Sequence, residues 1–317
     1  MVGGTICRAT KKRAARSNLF ARAYKSRYRA RTLAAPTFPI VEMFGYPWDS
    51  TTAPAKDSAR RHWCPFMGLQ CEKFRQYGYG YCSVTYAAAD DGGQATTYAV
   101  CDHRLDGPPL RHVVADHFGA LPTTLVPEVV LTSPRTSFDF VAFEKDNIEN
   151  VIAIETQAID IRGGGVGPAF RAWQDGKPEE WRDYFTREAA EKKRKDNVAY
   201  GVNMANIYKR LGLQVAVKGS YLKGVEVPFY VLMQDRPFQY LRRRINFKEV
   251  NSDWDITFIT FDYSGAANTD GSLTFSHQQT VRTTVEEYVA AMSADARMAK
   301  KDRADFLKRV KRKAGLG

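Results

Sequence analysis

Two polar side chains interrupt the otherwise apolar run VIAIETQAI, which spans residues 151–159. Such a run favours a β-strand, and alternate residues of a strand face the same side of its sheet. Glu155 and Gln157 would therefore lie together at one end of one face, with Thr156 on the opposite, apolar face. A buried carboxyl group is costly without a partner, so this strand end is either a polar rim capped by water or a binding site.

Other carboxylates along the chain can reach Glu155. Asp139 lies near the start of the β-rich run 137–143, and a hairpin pairing with 150–159 would bring it to Glu155. Glu128, one strand earlier, could join them. Two or three carboxylates at a sheet edge repel one another unless a cation or a proton lies between them. Mg²⁺ takes oxygen ligands and keeps positions for water and phosphate, so the cluster predicts metal-assisted phosphodiester hydrolysis.

The spacing of these residues has the layout of the PD-(D/E)xK nuclease core. Asp139 is followed by fifteen residues and then by Glu155, Thr156 and Gln157. Gln157 stands where that core has a lysine. An amide cannot exchange a proton or supply positive charge, but it can orient a water molecule or a metal ligand. The sequence offers no obvious general base.

Four of the five cysteines, Cys64, Cys71, Cys82 and Cys101, fall within 38 residues. In a chain of this size that shows no secretory signal, clustered cysteines favour metal binding over disulfides. Four thiolates can close a structural site around zinc, a single iron or a cluster, with no open position for substrate. Buried, reduced cysteines acting as small apolar side chains are the alternative. Cys7 lies far from the group and is expected to be free.

The elements that must position these groups are strands grouped in the middle of the chain with helices around them. Apolar patterning and turn residues predict strands over 81–87, 96–101, 124–131, 137–143, 150–159, 213–218, 225–233, 256–262 and 272–281. Helices are predicted at 56–63, at 109–118, within 178–211 and from Thr284 onwards. This pattern predicts an α+β fold with a mixed central β-sheet flanked by helices. The layout of Asp139, Glu155 and Gln157 resembles the PD-(D/E)xK core and so implies a sheet of that type, and the clustered cysteines imply a small Cys₄ metal-binding subdomain.

Four regions are expected along the chain. They are a basic N-terminal arm (1–35), a Cys₄ metal-binding region (36–105), a nuclease core with dimerisation and DNA-binding elements (106–296) and a basic C-terminal tail (297–317).

Positive charge is concentrated at the two ends of the 317-residue chain, whose formal net charge is +12. The arm carries ten Lys or Arg and no acid, and the tail carries nine Lys or Arg against two Asp, which leaves −5 between them. Basic ends attract a polyanion. The alternatives are a solvated tail at either end and a transit peptide at the N-terminus. No run approaches the roughly 18–20 apolar residues of a membrane span, so no membrane partner is expected.

Several motifs then occur in a defined order. They are FGYPWD (44–49), ARRHWCPFMGLQCEK (59–73), GYCSV (80–84), PEVVLTSPRTSFDFVAF (127–143) and IETQAIDIRGGGVGPAFRAW (154–173). Together they resemble the NotI-type family of type II restriction endonucleases. The resemblance covers roughly residues 38–175, about half of the chain.

The resemblance implies a homodimer that cleaves GC-rich palindromes in double-stranded DNA, in a bacterial cytoplasm that also holds a cognate DNA methyltransferase. It implies that Asp139 and Glu155 bind Mg²⁺ with the Thr156 carbonyl as a further ligand, that Gln157 takes the lysine position, and that Glu128 is a supporting acid. It also implies a structural iron bound by Cys64, Cys71, Cys82 and Cys101. The cysteines alone would suggest zinc, so iron rests on the resemblance.

Guanine is most often read in the major groove by bidentate arginine, so a GC-rich target predicts arginines near the cleavage site. The candidates are Arg135, Arg162, Arg171, Arg242, Arg243 and Arg244. Each could instead contact only phosphate or solvent. A palindromic target implies two-fold symmetry, and region 178–211 is the predicted part of the dimer contact. A non-catalytic Cys₄ DNA-binding protein and a repair or mobile-element nuclease on the same core are the alternative functions.

Overall fold

The computed structural model of the chain describes residues 38–87, 95–133, 135–163, 165–195, 198, 200–294 and 303–315. All of them belong to the unit Thr37–Gly317. The arm 1–35, which includes Cys7, and parts of the tail 297–317 lie outside the described residues. Among the described residues, no helix has both the length and the apolar content that crossing a bilayer requires.

The cysteine-bearing first third of the described chain consists of short strands and helices. In order they are β1 (Ile40–Met43), β2 (Tyr46–Pro47), α1 (Ala53–Arg61), β3 (Trp63–Cys64), β4 (Leu69–Gln70), α2 (Glu72–Tyr77), β5 (Tyr81–Ala87), β6 (Ala95–Ala99), a 3₁₀ turn (Asp102–Arg104) and α3 (Pro108–Phe118). A four-stranded sheet has the order β2-β1-β5-β6, and β3 and β4 form a separate antiparallel hairpin. The strands and helices predicted in this region are present, with ends that differ by a few residues.

The rest of the chain builds the larger sheet and most of the helices. In order the elements are β7 (Thr123–Thr132), β8 (Arg135–Glu144), β9 (Asn147–Gln157), β10 (Ile161–Gly163), α4 (Gly167–Gln174), a 3₁₀ turn (Pro178–Glu180), α5 (Trp181–Glu191), β11 (Tyr200–Val202), α6 (Met204–Asn206), a π-helical segment (Ile207–Leu211), α7 (Gly212–Gly224), β12 (Phe229–Gln234), α8 (Asp235–Arg242), β13 (Ile256–Ala267), β14 (Leu273–Thr283), α9 (Val285–Ser293) and α10 (Arg303–Lys313).

A six-stranded mixed sheet with the order β14-β13-β12-β9-β8-β7 lies at the centre. β7, β8 and β9 form an antiparallel meander, β9, β12 and β13 run parallel, and β14 pairs antiparallel with β13. The predicted mixed sheet flanked by helices is confirmed. Starting from α3, the chain runs helix, three antiparallel strands, helices, and then a strand parallel to the third.

Helices cover both faces of this sheet. On one face, Leu110 and Val113 of α3 belong to the same buried cluster as Ile152 and Ile154 of β9. On the other face, Ala153 belongs to a larger cluster that includes residues of α4, α5, α7, α8 and α9 and also reaches Cys64 and Cys71. The predicted alternation along β9 is thus confirmed, and it directs Glu155, two residues beyond Ala153, towards the larger cluster.

The strand predicted at 213–218 is wrong, because these residues lie within α7. The alternation of Leu213, Val215 and Val217 suggested a strand, yet Leu213 and Val217 are exposed. The buried positions recur at the three-to-four-residue spacing of one helix face; they are Gly212, Val215, Ala216, Lys218, Gly219 and Leu222. The helical period therefore describes this segment and the strand period does not.

Candidate active site

Asp139 and Glu155 meet at the junction of β8 and β9. The antiparallel register pairs Phe140 with Ile154, and continuing it by one residue places Asp139 opposite Glu155. Residues opposite each other in such a pair have neighbouring side chains. Oδ2 of Asp139 also accepts hydrogen bonds from the backbone N–H of Thr156 at 2.8 Å and from its Oγ1 at 3.1 Å. The structure thus brings together the two acids that the sequence predicts as metal ligands.

The Glu155 carboxyl group is largely withdrawn from solvent, with 8% of its side chain exposed. Burial, together with the negative charges of Asp139 and Asp102, raises its pKa to about 7 even though Lys218 acts to lower it. A carboxyl group tuned to this range by burial and by like charges is typical of functional sites. At neutral pH, Glu155 is therefore poised between its protonated and ionised forms.

Lys218 is a residue of this site that the sequence analysis missed. It lies on the buried face of α7, and its Nζ donates to Oε2 of Glu155 at 2.5 Å. Its Nζ also lies 5.6 Å from the ring centroid of Phe138 on β8. The signal that could have revealed it is a lysine at the apolar spacing of a helix, between Val215 and Leu222. The strand predicted there concealed this spacing.

Asp102 is a second missed residue, and it links the cysteine region to the active strand. It directly follows Cys101, and its Oδ1 accepts a hydrogen bond from the N–H of Ala158 at 3.0 Å. The next residue, Ile159, donates its N–H to the carbonyl of Ala99 at 3.0 Å. Burial raises the pKa of Asp102, and the Ala158 hydrogen bond opposes the rise. The end of β9 is thus held by the segment that carries Cys101.

Gln157 and Thr156 complete the strand end. The Gln157 side chain is half-buried, and its Nε2 donates to the carbonyl of Ala158. The N–H and C=O of one strand residue point towards the same neighbouring strand. Since the Thr156 N–H points to Asp139, the Thr156 carbonyl faces that side as well. This orientation suits the further metal ligand that the resemblance implies.

Glu128 aligns with the two acids but stays outside the buried cluster. The β7–β8 register pairs Pro127 with Phe140 and Val129 with Phe138, which places Glu128 across from Asp139. Its backbone has a positive φ of 51° and its side chain is exposed. A left-handed conformation in a residue with a β-carbon is uncommon and costs energy. The carboxylates that raise the Glu155 pKa are Asp139 and Asp102.

The four clustered cysteines are all buried free thiols. Electrostatic coupling joins Cys64 to each of the other three, and Cys82 to Cys101. Burial raises the pKa of Cys64 and of Cys82, and it raises that of Cys101 to about 11. Within the described residues, no three His, Cys, Asp or Glu side chains already stand in metal-binding geometry. The thiols of the described residues are therefore electrostatic neighbours.

Backbone donors nevertheless point at three of these sulfur atoms. The N–H of Gly45 donates to Sγ of Cys82 at 3.3 Å. The backbone N–H groups of Phe66 and Met67 donate to Cys64, and that of His103 donates to Cys101. These hydrogen bonds lower the pKa values of the two thiols, whereas burial raises them. Hydrogen bonds to the charged form favour a thiolate, and thiolates are the form that binds metal. By donor type and hydrogen bonding, the residues fit a metal site.

The predicted DNA-contacting arginines have different surroundings. Arg135 is exposed at the start of β8, and Arg162 is exposed with its Nη2 donating to the Tyr86 hydroxyl at 3.0 Å. Arg171 on α4 is half-exposed and donates to Oε2 of Glu188 at 2.7 Å. All three remain accessible to a ligand.

The arginine run after α8 packs against aromatic rings. Arg242 donates to Oε1 of Glu249 at 3.0 Å and lies 4.1 Å from the ring centroid of Phe247. Burial lowers its pKa. Arg244 lies 3.3 Å from the ring centroid of Tyr208. Arg243 is exposed. Cation–π contacts of this kind stabilise the fold, so Arg242 and Arg244 have a packing role in this structure.

Comparison with known proteins leaves the chain without an assigned family. No model of a protein family matches it, and no curated protein shows significant similarity to it.

Proposed function

We propose that this protein is a type II restriction endonuclease that cleaves double-stranded DNA by Mg²⁺-dependent phosphodiester hydrolysis. The observation that carries the proposal is the facing pair Asp139 and Glu155 at the end of β9, with Glu155 largely buried and its pKa raised to about 7. Two carboxylates in this arrangement are stable together when a cation lies between them. A purely structural strand end has no need of that arrangement.

The order of the elements supports a PD-(D/E)xK core. A helix, three antiparallel strands, a helical crossover and a strand parallel to the third occur as α3, β7, β8, β9, α4 to α7, and β12. The proposed metal ligands lie on the second and third of these strands. The spacing of Asp139 and Glu155 and the topology around them therefore support the same superfamily.

Asp139, Glu155 and the Thr156 carbonyl would hold Mg²⁺. When bound, Mg²⁺ polarises the scissile phosphate and lowers the pKa of a water molecule. The chain's own residues fix the geometry: the N–H and Oγ1 of Thr156 hold the Asp139 carboxylate, and the Asp102 carboxylate holds the N–H of Ala158. Gln157 can orient the attacking water through its amide. Hydrolysis would leave 5′-phosphate and 3′-hydroxyl ends.

Cys64, Cys71, Cys82 and Cys101 would hold a structural metal, iron on the resemblance to the NotI-type family and zinc as the alternative. A closed four-thiolate shell has no position for substrate. Its effect on the active site would be mechanical, because Asp102 follows Cys101 directly and bonds to the Ala158 N–H. Closing the shell would fix the segment 99–102 against the end of β9.

The substrate is proposed to be a GC-rich palindrome, cut by a homodimer in the bacterial cytoplasm alongside a cognate DNA methyltransferase. The basic character of α10, whose exposed side chains include Lys308, Lys311 and Lys313, supports contact with DNA phosphates. Arg135, Arg162 and Arg171 are accessible candidates for base or phosphate contacts. The protein's two-fold symmetry would match that of the target.

Plasmid digestion tests the proposal. A GC-rich plasmid is incubated with the full chain in Mg²⁺ or in EDTA, and the ends are sequenced. We expect discrete fragments in Mg²⁺ alone, with one sequence at every end. Cuts without a common sequence would favour a repair or mobile-element nuclease. Binding without cutting in any divalent metal would favour a non-catalytic DNA-binding protein and contradict the proposal.

A further inference from the structure

Lys218 points from the middle of α7 into the interior of the protein. Its side chain is 9% exposed, and its Nζ lies 2.5 Å from Oε2 of Glu155. Val215, Gly219 and Leu222 on the same face of the helix are buried. An ammonium group is seldom placed among apolar neighbours without a specific partner. Here the partner is the central carboxylate of the candidate site.

The carboxylates at the end of β9 carry negative charge that cations must balance. Asp139 and Asp102 act on Glu155 as negative charges, and Lys218 is the cation that bonds to it. Asp102 has a further cation near it, because the positive charge of Lys73 lowers its pKa. With Glu155 and Asp139 both ionised, Lys218 alone leaves a formal excess of one negative charge, which the positive charge of a metal ion can compensate. Gln157, at the same strand end, supplies none.

We propose that Lys218 is the resident counter-cation of this site: it pairs with Glu155 in the metal-free protein, and it yields the carboxylate to an arriving divalent cation. Its ammonium group then contacts the phosphate of bound DNA. This second half rests on the proposed function, because it requires a phosphate substrate. No covalent bond changes in the exchange.

The surroundings of Lys218 permit such an exchange. A lysine carries its charge on a flexible four-carbon stem with three donors, so the ammonium can move by several ångströms while the helix stays fixed. The ring of Phe138, with its centroid 5.6 Å from Nζ, offers the ammonium an aromatic face beside Asp139. The lysine can therefore leave Glu155 without crossing an entirely apolar region.

Three variants test the proposal. K218Q keeps a hydrogen-bond donor near Glu155 but removes the charge, and K218M removes both while suiting the apolar helix face. K223Q is the matched control, because Lys223 lies on the same helix and pairs with Asp255 and Glu286 at 2.9 and 2.7 Å. The first measurement is calorimetric titration of the metal-free full chain with Mn²⁺, in mildly alkaline buffer so that Glu155 is ionised.

We expect K218Q and K218M to bind Mn²⁺ at least about tenfold more tightly than the wild type, because the metal no longer displaces an ammonium group. K223Q should bind like the wild type. In single-turnover cleavage, K218Q should be at least about 100-fold slower, which is typical for loss of one charged contact to the reacting group. K218R should recover part of that rate because it restores the charge. DNA binding in Ca²⁺ should persist in every variant.

Mn²⁺ binding by both K218Q and K218M that equals or falls below the wild-type affinity would overturn the inference. Cleavage by K218Q within about threefold of the wild-type rate would overturn its second half. The proposed function is tested separately. If the wild type cuts no DNA while K218Q still binds Mn²⁺ more tightly, the result supports the counter-cation role of Lys218 and contradicts the nuclease function. If D139A abolishes cleavage and K218Q does not impair it, the result supports the nuclease function and contradicts a contact between Lys218 and the DNA phosphate.

Discussion

Asp139 and Glu155 face each other across β8 and β9, and the Asp139 carboxylate is bonded to both the N–H and Oγ1 of Thr156. The hairpin register therefore converts two acids that are sixteen positions apart in the chain into one site. The buried face that receives Glu155 also receives Lys218.

Thr156 is expected to matter through its hydroxyl group. T156V removes the Oγ1 hydrogen bond to Asp139 and keeps the shape of the side chain, whereas T156S keeps the bond. A hydrogen bond to a charged group contributes about 1.5–3 kcal/mol, so T156V should lower the cleavage rate by roughly ten- to a hundredfold. Single-turnover rates of the two variants provide the measurement. Equal rates would show that the backbone N–H alone positions Asp139.

Protonation of Glu155 should make the stability of the metal-free protein depend on pH. Its folded-state pKa is raised from 4.5 to about 7, so between these values the folded protein holds a proton that the unfolded chain has released. The free energy of unfolding should therefore fall as pH rises from about 4.5 to about 7. One pKa unit corresponds to about 1.4 kcal/mol, so the Glu155 contribution is about 3 kcal/mol at most.

E155Q isolates this contribution. The free energy of unfolding of both proteins is measured by denaturant titration across this pH range without metal. As pH rises, the wild type should lose stability relative to E155Q, because glutamine does not ionise. Mn²⁺ affinity of the wild type should rise over the same range, because the ligand must be deprotonated. A pH-independent difference between the two proteins would contradict the raised pKa.

Gly45 should be essential to the cysteine region. Its φ is +86°, and a β-carbon there would lie 2.2 Å from Cγ of Pro65. Gly68 has φ +66° but open space around its Cα. G45A and G68A therefore share the backbone penalty of about 1–2 kcal/mol, and only G45A adds a clash. We expect G45A to cost at least about 2 kcal/mol more in thermal or denaturant unfolding. Equal losses would mean that Pro65 moves away freely.

Metal analysis tests the cysteine site. The purified chain should contain one tightly bound metal, and C64S, C71S, C82S and C101S should each lose it, because a four-thiolate shell needs every ligand. C7S is the control and should retain the metal. The variants should also cleave more slowly, since Asp102 would no longer be fixed against Ala158. Full metal content in any two of the four variants would contradict a shared site.

Much of the fold could be predicted from local patterns, because β7, β8, β9 and β13 carry apolar residues at the spacing of strands. The failure at 213–218 is instructive, since Leu213 and Val217 are exposed in α7. The helical period is recognised when apolar residues lie on one face and polar residues on the other. Because Leu213 and Val217 are apolar residues on the solvent side, this segment lacks that difference between its faces.

The predictable part of the site is the part built by one hairpin. Asp139 and Glu155 lie on two strands joined by a short connection, so the pairing of these strands predicts that the two side chains are close. Lys218 and Asp102 lie 63 and 53 positions from Glu155, and only the packing of α7 and of the cysteine region on the sheet brings them there. The run Arg242 to Arg244 resembles a basic patch, but Arg242 packs on the nearby Phe247, and Arg244 packs on Tyr208, which comes from a distant part of the chain.

The most direct test of the central claim is cleavage of a GC-rich DNA substrate by D139A and E155A in Mg²⁺, beside their binding to the same DNA in Ca²⁺. Both variants should lose cleavage by several orders of magnitude while their affinity for DNA stays close to that of the wild type. Wild-type cleavage rates in both variants would show that the carboxylates at the end of β9 are not the active site.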